Sequence, residues 1–140
     1  MKALFDSDVL LDVGLERAPW VETSEAALAL APSSALEGFV AWHSLANISY
    51  MARGKESLDA REFISKILAY LEVAPVGHSD MRLALRLGMT DLEDARQVAA
   101  AVACGADRIV TRNTRHFRNA IVPAVTPAEL LRALGQRTSR

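Results

Sequence analysis

The stretch that decides the fold is ALFDSDVLL, residues 3–11. Its apolar start is typical of a buried parallel strand, and the cluster of acids Asp6, Asp8 and Asp12 indicates a polar turn after it. Asp8 and Asp12, each taken alone, are better explained as turn and loop residues. Asp6 is different, because a carboxylate in a central buried strand is costly unless it has a partner. Asp6 is therefore the first candidate for a functional residue.

Strands and helices alternate along the rest of the chain. Strands are predicted at 37–42, 72–76, 108–111 and 121–125. Helices are predicted at 19–30, 44–53, 79–87, 90–105 and 128–134, and a further helix is predicted to begin after an N-cap at Ser57. Pro75 places the second of those strands at a sheet edge. This order predicts an α/β fold of three layers, α/β/α, with a central, mainly parallel sheet. We expect one domain over residues 1–134 and a disordered tail over 135–140.

A parallel sheet of this kind also predicts where the functional site lies. In open α/β sheets the site is found beyond the carboxyl ends of the strands, at the point where the strand order reverses. The polar residues that follow the predicted strands are therefore the candidates to examine.

Composition excludes several classes of protein. With 140 residues, 51% hydrophobic and 24% charged, the chain is typical of one soluble domain with a real core. Its longest apolar stretch, 98–104, is far shorter than the roughly 20 residues that a membrane-spanning helix needs. Asp6 and Asp8 interrupt the region where a signal peptide would be apolar, and the single cysteine, Cys104, fits a reducing compartment. We therefore expect a cytoplasmic protein without membrane contact.

The net charge of −1 conceals an uneven distribution. Residues 1–40 carry seven acids against two bases, whereas residues 108–140 carry seven arginines against Glu129 alone. Such asymmetry between the ends of a chain indicates a partner that is a cation or a polyanion.

A second group of acids opens an alanine-rich helix. Thr90 and Glu93 have the spacing of a capping box, which explains Glu93 and Asp91 as well as a function does. Asp91 and Asp94 share a helix face. Asp94 also comes directly before the apolar residues that we expect to face the core, Ala95, Val98 and Ala99, so Asp94 is the stronger functional candidate. Carboxylates that converge at strand ends need a cation, and oxygen ligands select Mg²⁺ or Mn²⁺. Such an ion binds phosphate oxygens and lowers the pKa of a bound water.

A third polar group, TRNTRHF at residues 111–117, directly follows the strand predicted at 108–111. Its hydroxyls, its amide and its guanidinium groups suit the binding of phosphate and the placement of a water molecule. A turn with a solvated basic face is the alternative. His43 and His78 carry no functional prediction, and Trp20 and Trp42 are expected in the core.

These segments together resemble one family. FDSDVLLD at 5–12, LANISY at 45–50, DLEDA at 91–95 and IVTRNT at 109–114 resemble the PIN domain family over residues 2–131. The resemblance implies a compact α/β/α fold and a Mg²⁺- or Mn²⁺-dependent ribonuclease acting on RNA. Many bacterial members are toxins of toxin–antitoxin pairs, and dimers are common. An antitoxin protein and a second copy of the chain are therefore the implied protein partners.

The resemblance also implies roles for individual residues. Asp6 matches the first metal-binding aspartate of the family, and Asp94 matches the aspartate of its third motif. Asp8 stands where asparagine is usual, which keeps an oxygen ligand. Asn113 follows the Thr-Arg-Asn pattern of the family.

Two positions depart from the family pattern. Asn47 stands where most members have glutamate, and His116 stands where an acidic residue is usual. A subgroup that resembles this chain has asparagine near position 47 and an Asp-x-Glu-Asp motif, in which Asp91 and Glu93 compensate.

The leading hypothesis is a metal-dependent RNA endonuclease. Its assigned roles are metal binding by Asp6 and Asp94, further metal contacts from Asp91, Glu93 and Asp8, positioning of phosphate and nucleophile by Asn47, Thr111 and Asn113, and attraction of the RNA backbone by Arg112, Arg115 and Arg118. Asn47 and His116 motivate a second hypothesis, a module that binds RNA or protein without cutting. The opening Phe-Asp-Ser-Asp-Val motivates a third, a phosphatase similar to the haloacid dehalogenase family.

Overall fold

The computed structural model describes residues 1–54 and 58–138 and contains one five-stranded sheet. The strands are β1 (Lys2–Phe5), β2 (Glu37–Val40), β3 (Glu72–Val73), β4 (Arg108–Val110) and β5 (Ala124–Val125). Their order is β3-β2-β1-β4-β5, and each neighbouring pair is parallel. The predicted parallel sheet and the edge position of β3 are confirmed.

Helices cover both faces of the sheet. They are α1 (Ser7–Gly14), α2 (Val21–Ala29), α3 (Trp42–Met51), α4 (Ala60–Tyr70), α5 (His78–Arg86), α6 (Leu92–Ala103) and α7 (Pro127–Thr138), with a short 3₁₀ helix at Thr114–Phe117. Side chains of α1, α2, α3, α4 and α7 share one core, and α6 packs on the opposite face with α5 against it. The predicted three-layer α/β/α architecture is confirmed.

The central strand β1 is buried on both faces. Ala3 and Phe5 belong to the core beneath α1, whereas Leu4 belongs to the core beneath α6, and none of the three is exposed. A strand covered on both sides is apolar throughout, which is why residues 3–5 form a continuous apolar run.

The polar turn predicted after β1 is wrong, because α1 begins there. Asp6 is the N-cap of α1, and its carboxylate accepts a hydrogen bond from the Ser7 backbone nitrogen at 2.8 Å. Val9, Leu10 and Leu11 then enter the core. Asp12 is a fully buried residue of this helix. The strand therefore leads directly into a helix whose N-terminus lies at the carboxyl edge of the sheet.

The two predicted capping boxes have different outcomes. The box between Thr126 and Glu129 is confirmed by reciprocal hydrogen bonds of 3.3 and 3.1 Å. The box between Thr90 and Glu93 is wrong, because the N-cap of α6 is Asp91, whose carboxylate accepts from the Asp94 backbone nitrogen.

Other differences concern helix ends and tryptophans. Ser57 lies outside the described residues, and the carboxylate of Asp59 caps α4. Helix α7 continues to Thr138, past its predicted end, so residues 135–138 of the predicted tail are helical. The predicted strand 37–42 ends at Val40, and Trp42 begins α3 with 70% of its surface exposed. Trp20 is 40% exposed, so neither tryptophan belongs to the core.

The strand order places the reversal point between β1 and β4. From β1 the chain builds outward to β2 and β3, and then crosses to β4 and β5 on the other side. Phe5 pairs with Val110, and the backbone nitrogen of Asp6 donates to the Val110 carbonyl at 2.9 Å. Residues that follow these two strands therefore meet in one crevice.

None of the described helices combines the length and apolar character needed to span a bilayer.

Candidate metal centre

Asp6 is the most constrained carboxylate at the reversal point. Its Oδ1 accepts hydrogen bonds from Gln97 Nε2 at 2.7 Å and from the Ser7 nitrogen, and its Oδ2 accepts from Thr111 Oγ1 at 2.9 Å. Thr111 and Gln97 are both buried. Donors from three parts of the chain therefore fix the orientation of this carboxylate.

Gln97 was missed by the sequence analysis. It lies on α6, three residues after Asp94 and hence on the same helix face, and it is 1% exposed. Its Oε1 is buried with no hydrogen-bond partner in the described part of the chain. The available signal was an amide on the inner stripe of alanines and valines, where a polar group needs a partner.

The side chain of Asp8, on α1, is hydrogen-bonded to the residues that follow β4. Its Oδ2 accepts from Thr111 Oγ1 at 3.2 Å, from the Arg112 backbone nitrogen at 3.1 Å and from Asn113 Nδ2 at 3.1 Å. Its Oδ1 is buried and has no hydrogen-bond partner among residues 1–54 and 58–138. Asn113 and Thr111, both predicted to position phosphate, thus lie against the acids of α1.

Asp94 lies in the first turn of α6 and faces the same crevice. Its Oδ2 lies 3.4 Å from His116 Nδ1. Burial raises the pKa of Asp94, as do the charges of Asp91, Asp6 and Glu93, whereas His116 lowers it. Asp94 and Asp6 are therefore electrostatically coupled, although they are 88 residues apart in sequence.

The structure does not bring all five predicted metal ligands together. Glu93 Oε1 accepts a hydrogen bond from Asn47 Nδ2 at 2.8 Å, and Asp91 is an exposed cap. Among the described residues, no three acidic, histidine or cysteine side chains converge as a ready-made metal cage. The geometry brings Asp6, Asp8 and Asp94 toward one crevice and holds Glu93 to α3.

Arg112, predicted to bind substrate, lies in a structural ion pair. Its guanidinium donates to both carboxylate oxygens of the fully buried Asp12, and it stacks over the ring of Trp20 at 3.9 Å. Arg17 lies 3.7 Å from the same carboxylate. Arg115, by contrast, is exposed in the 3₁₀ helix. Arg115 is therefore better placed than Arg112 to meet a phosphate.

The electrostatics of this crevice suit a divalent cation. Burial, followed by the charge of Asp6, raises the pKa of Asp8 from 3.8 to about 6. The charged forms of Asp8 and Asp94 are thus less stable than those of an ordinary aspartate, and a nearby cation would stabilise both. Mg²⁺ typically takes one or two carboxylates and completes its shell with water and phosphate, so a site without a full protein cage fits it. The chemistry of the carboxylates present therefore fits Mg²⁺ or Mn²⁺.

The raised pKa of Asp8 predicts a pH-dependent stability in EDTA. Because the pKa is about 6 in the folded protein and 3.8 ordinarily, the folded protein binds the extra proton. Stability therefore falls as pH rises from about 4 to about 6, and the loss is complete above this range. Asp8→Asn removes the loss and should raise the melting temperature at pH 7.5 by roughly 5 °C, with no gain at pH 3.5.

The matched control is Asp107→Asn, which removes an exposed carboxylate at the opposite end of β1, where it accepts from the Lys2 nitrogen. Melting curves of the three proteins between pH 3.5 and 8 measure the effect. A variant Asp8→Asn that melts at or below the wild-type temperature at pH 7.5 would contradict the raised pKa.

Comparison with known proteins adds the family and the fold. A sequence model described as PIN domain matches residues 2–115, a range that contains all the candidate metal-binding and phosphate-positioning residues but not Arg118. None of the curated protein sequences compared with the chain matches it.

Solved structures with the same fold include a toxin–antitoxin complex and two VapBC structures. A toxin–antitoxin complex from Klebsiella pneumoniae matches with a TM-score of 0.66 and 22% identity, covering 89% of this chain and 97% of that one. VapBC2 from Rickettsia felis, bound to a promoter DNA fragment, gives 0.65 and 15%, covering 90% and 98%. VapBC-1 from nontypeable Haemophilus influenzae gives 0.67 and 12%, covering 91% and 99%. At these identities the likeness shows the fold.

Proposed function

The chain belongs to the PIN domain family, and we propose that it is a metal-dependent endonuclease that hydrolyses phosphodiester bonds of RNA. The observation that carries the proposal is the setting of Asp6. Its carboxylate lies at the reversal point of a parallel sheet, is oriented by Gln97 and Thr111, and is electrostatically coupled to Asp8 and Asp94. Oriented carboxylates that repel one another are the usual protein contribution to a catalytic cation site.

The proposed cofactor is Mg²⁺ or Mn²⁺, held by Asp6 and Asp94. Bound there, the ion would polarise the scissile phosphate and lower the pKa of an adjacent water. Asp8 is proposed to contribute through its Oδ1, which has no hydrogen-bond partner within residues 1–54 and 58–138. Asp91 and Glu93 are proposed to act through water, because one caps α6 and the other is held by Asn47.

The remaining residues orient these acids and attract the substrate. Gln97 and Thr111 hold the Asp6 carboxylate, and Asn113 holds that of Asp8 while its exposed side remains open to a phosphate. Arg115 supplies an exposed positive charge for the RNA backbone. His116 Nδ1 faces Asp94, where a protonated imidazole would compete with a cation for that carboxylate.

Cleavage of RNA in the presence of Mn²⁺ tests the proposal. We expect the wild type to cut single-stranded or structured RNA and EDTA to stop it, while Asp94→Asn lowers kcat/KM by at least about 100-fold, because it removes one metal-binding charge. The control is again Asp107→Asn, which removes the same charge outside the crevice and should cut at the wild-type rate. Equal rates for the wild type and Asp94→Asn would overturn the assignment.

The two alternatives predict other results. A module that binds without cutting predicts no Mn²⁺ binding at millimolar concentration in a calorimetric titration, and Asn47 in place of an acid motivates this alternative. A phosphatase of the haloacid dehalogenase kind predicts an aspartyl-phosphate after exposure to acetyl phosphate. That chemistry needs a free cation beside the phosphoryl group, and after β4 the nearest guanidinium, that of Arg112, is paired with Asp12.

We also propose that the protein acts in the cytoplasm as the toxin of a toxin–antitoxin pair and forms a homodimer. The solved structures of this fold that are described above are toxin–antitoxin complexes, which supports an antitoxin partner. Three exposed apolar side chains support protein contacts: Trp42 and Tyr50 on α3 and Leu85 on α5 are 70%, 69% and 65% exposed.

A further inference from the structure

A cavity of about 590 Å³ adjoins the candidate metal centre. It lies between the connection from α5 to α6 and the segment that follows the 3₁₀ helix. Leu87, Met89, Val98 and Ala120 form its apolar part, and Asp94 and His116 form the wall nearest the acids. A ligand in this cavity would therefore lie directly beside the group that we propose as a metal ligand.

The loops that form the cavity turn sharply at two residues. Gly88, two residues after α5, has a φ of +70°. Asn119 has a φ of +68°, a left-handed conformation that asparagine adopts more readily than most residues. Asp91 then caps α6 and fixes the start of that helix. The cavity is thus bounded by a capped helix and two tight turns.

The size and chemistry of the cavity fit a nucleobase. Its volume lies within the range of about 300 to 1,000 Å³ that is usual for small-ligand sites. His116 and Arg118 present a planar imidazole and a planar guanidinium at the wall, and both side chains are exposed. Unpaired bases of RNA stack on such groups. Thr90 and Asn119 supply hydrogen-bonding groups for the polar edge of a base.

The surroundings of the cavity favour RNA over an apolar ligand. Arg118 on its wall and Arg115 nearby on the 3₁₀ helix carry positive charge, which suits the phosphates on either side of a base. Ile121 at the cavity is 63% exposed, an apolar surface that a stacked base would cover.

We propose that this cavity binds one unpaired nucleobase of the RNA, next to the phosphate that is cut at Asp6 and Asp94. This inference rests on the proposed function and adds to it the place on the protein where one base of the substrate is bound. A base in a continuous duplex is stacked and paired, so only a nucleotide of a single strand, loop or bulge enters such a cavity without first being pulled out of the helix. The substrate is then RNA with an unpaired nucleotide beside the cleaved bond.

Cleavage of an RNA oligonucleotide that lacks one base tests the inference. In the wild type, an abasic nucleotide next to the cleaved bond should lower kcat/KM about tenfold, as expected for the loss of one stacked base. Ala120→Trp fills the cavity and should lower kcat/KM on the intact RNA by about the same factor, with no further loss on the abasic RNA. Annealing the same RNA into a duplex should also suppress cleavage.

A second pair of variants keeps the inference testable if Ala120→Trp fails to fold. Ile121→Ser changes an exposed residue of the cavity and should lower kcat/KM about threefold by removing part of the stacking surface. Val102→Ser changes an exposed apolar residue of α6 outside the cavity and should leave kcat/KM unchanged. Cleavage of abasic, duplex and intact RNA at equal rates, or an equal effect of the two serine variants, would overturn the inference.

A binding measurement in EDTA separates the two proposals. An oligonucleotide with 2-aminopurine at the tested position should change its fluorescence when the wild type binds, and this change should be absent with Ala120→Trp. If this result appears without any cleavage, the base site stands and the endonuclease proposal fails. If RNA is cut but 2-aminopurine and abasic RNA show no effect, the endonuclease stands and the base site fails, as it also would if a protein segment filled the cavity instead.

Discussion

Asp6→Asn is expected to abolish RNA cleavage, lowering kcat by a factor of about 1000 or more, while the protein keeps its fold. The substitution removes the charge that would hold the divalent ion at the reversal point. It keeps the structural roles of the side chain, because asparagine is as good an N-cap as aspartate and its oxygen still accepts from Gln97 Nε2. The Thr111 hydroxyl, which now donates to Asp6, would rotate and accept from the new amide.

Three measurements on Asp6→Asn separate loss of chemistry from loss of structure. Calorimetric titration with Mn²⁺ should show weakened binding, cleavage of RNA should fall to the background, and the melting temperature in EDTA should stay within a few degrees of the wild type. Asp107→Asn serves as the control with the same chemical change. An Asp6→Asn variant that cleaves RNA at more than a tenth of the wild-type rate would remove Asp6 from the metal centre.

Gln97→Leu gives a graded companion to this variant. It deletes a 2.7 Å hydrogen bond to the Asp6 carboxylate at a buried position. A hydrogen bond to a charged group contributes about 1.5 to 3 kcal/mol, so metal affinity should fall roughly tenfold or more while kcat at saturating Mn²⁺ changes less. Unchanged Mn²⁺ affinity would show that Gln97 is only a packing residue.

Asp12→Asn is expected to have the largest effect on stability, lowering the free energy of unfolding by about 3 kcal/mol or more. Asp12 is fully buried, and its carboxylate accepts from the Arg112 guanidinium, with Arg17 at 3.7 Å. Without the negative charge, the partly buried guanidinium of Arg112 keeps its place against Trp20 but loses its counter-charge. Urea unfolding at pH 7.5 measures the loss.

A double variant distinguishes the ion pair from mere packing around Asp12. Replacing both charges, as Asp12→Leu with Arg112→Met, leaves only the part-exposed guanidinium of Arg17 without this carboxylate and should recover most of the lost stability, as buried pairs often tolerate apolar replacement. Asp107→Asn should unfold like the wild type. An Asp12→Asn variant within about 0.5 kcal/mol of the wild type would show that this pair contributes little, as exposed pairs do.

Local patterns predicted the sheet correctly and singled out Asp6 as the first candidate residue. The apolar run 3–5 and the apolar run at β4 have the continuous burial of parallel strands, and the alternation with helices fixed the sheet type. Asp6 was recognised because a carboxylate at the end of such a run needs a partner. Its position beside β4 followed from the general rule that polar residues meet at the reversal of strand order.

Long-range pairing explains what the sequence did not reveal. Arg112 looked like a phosphate ligand because its partner, Asp12, is 100 residues away and was interpreted as a turn residue. Two spacings, Thr90 with Glu93 and Asp91 with Asp94, compete for the start of α6. The second prevails, and Glu93 bonds to Asn47 on another helix. Gln97 was overlooked because only the fold places it within 2.7 Å of Asp6.

The central position of β1 has a consequence for the protein during its synthesis. Asp6 and Thr111 are hydrogen-bonded across 105 residues of sequence, and β1 pairs with β4 as well as with β2. A ribosome needs roughly 5 to 20 s to translate that separation. Throughout this interval the growing polypeptide carries Asp6 without Thr111, and for most of it also without Asp94 and Gln97. The candidate site therefore cannot assemble on the ribosome until the residues of β4 and Thr111 have emerged.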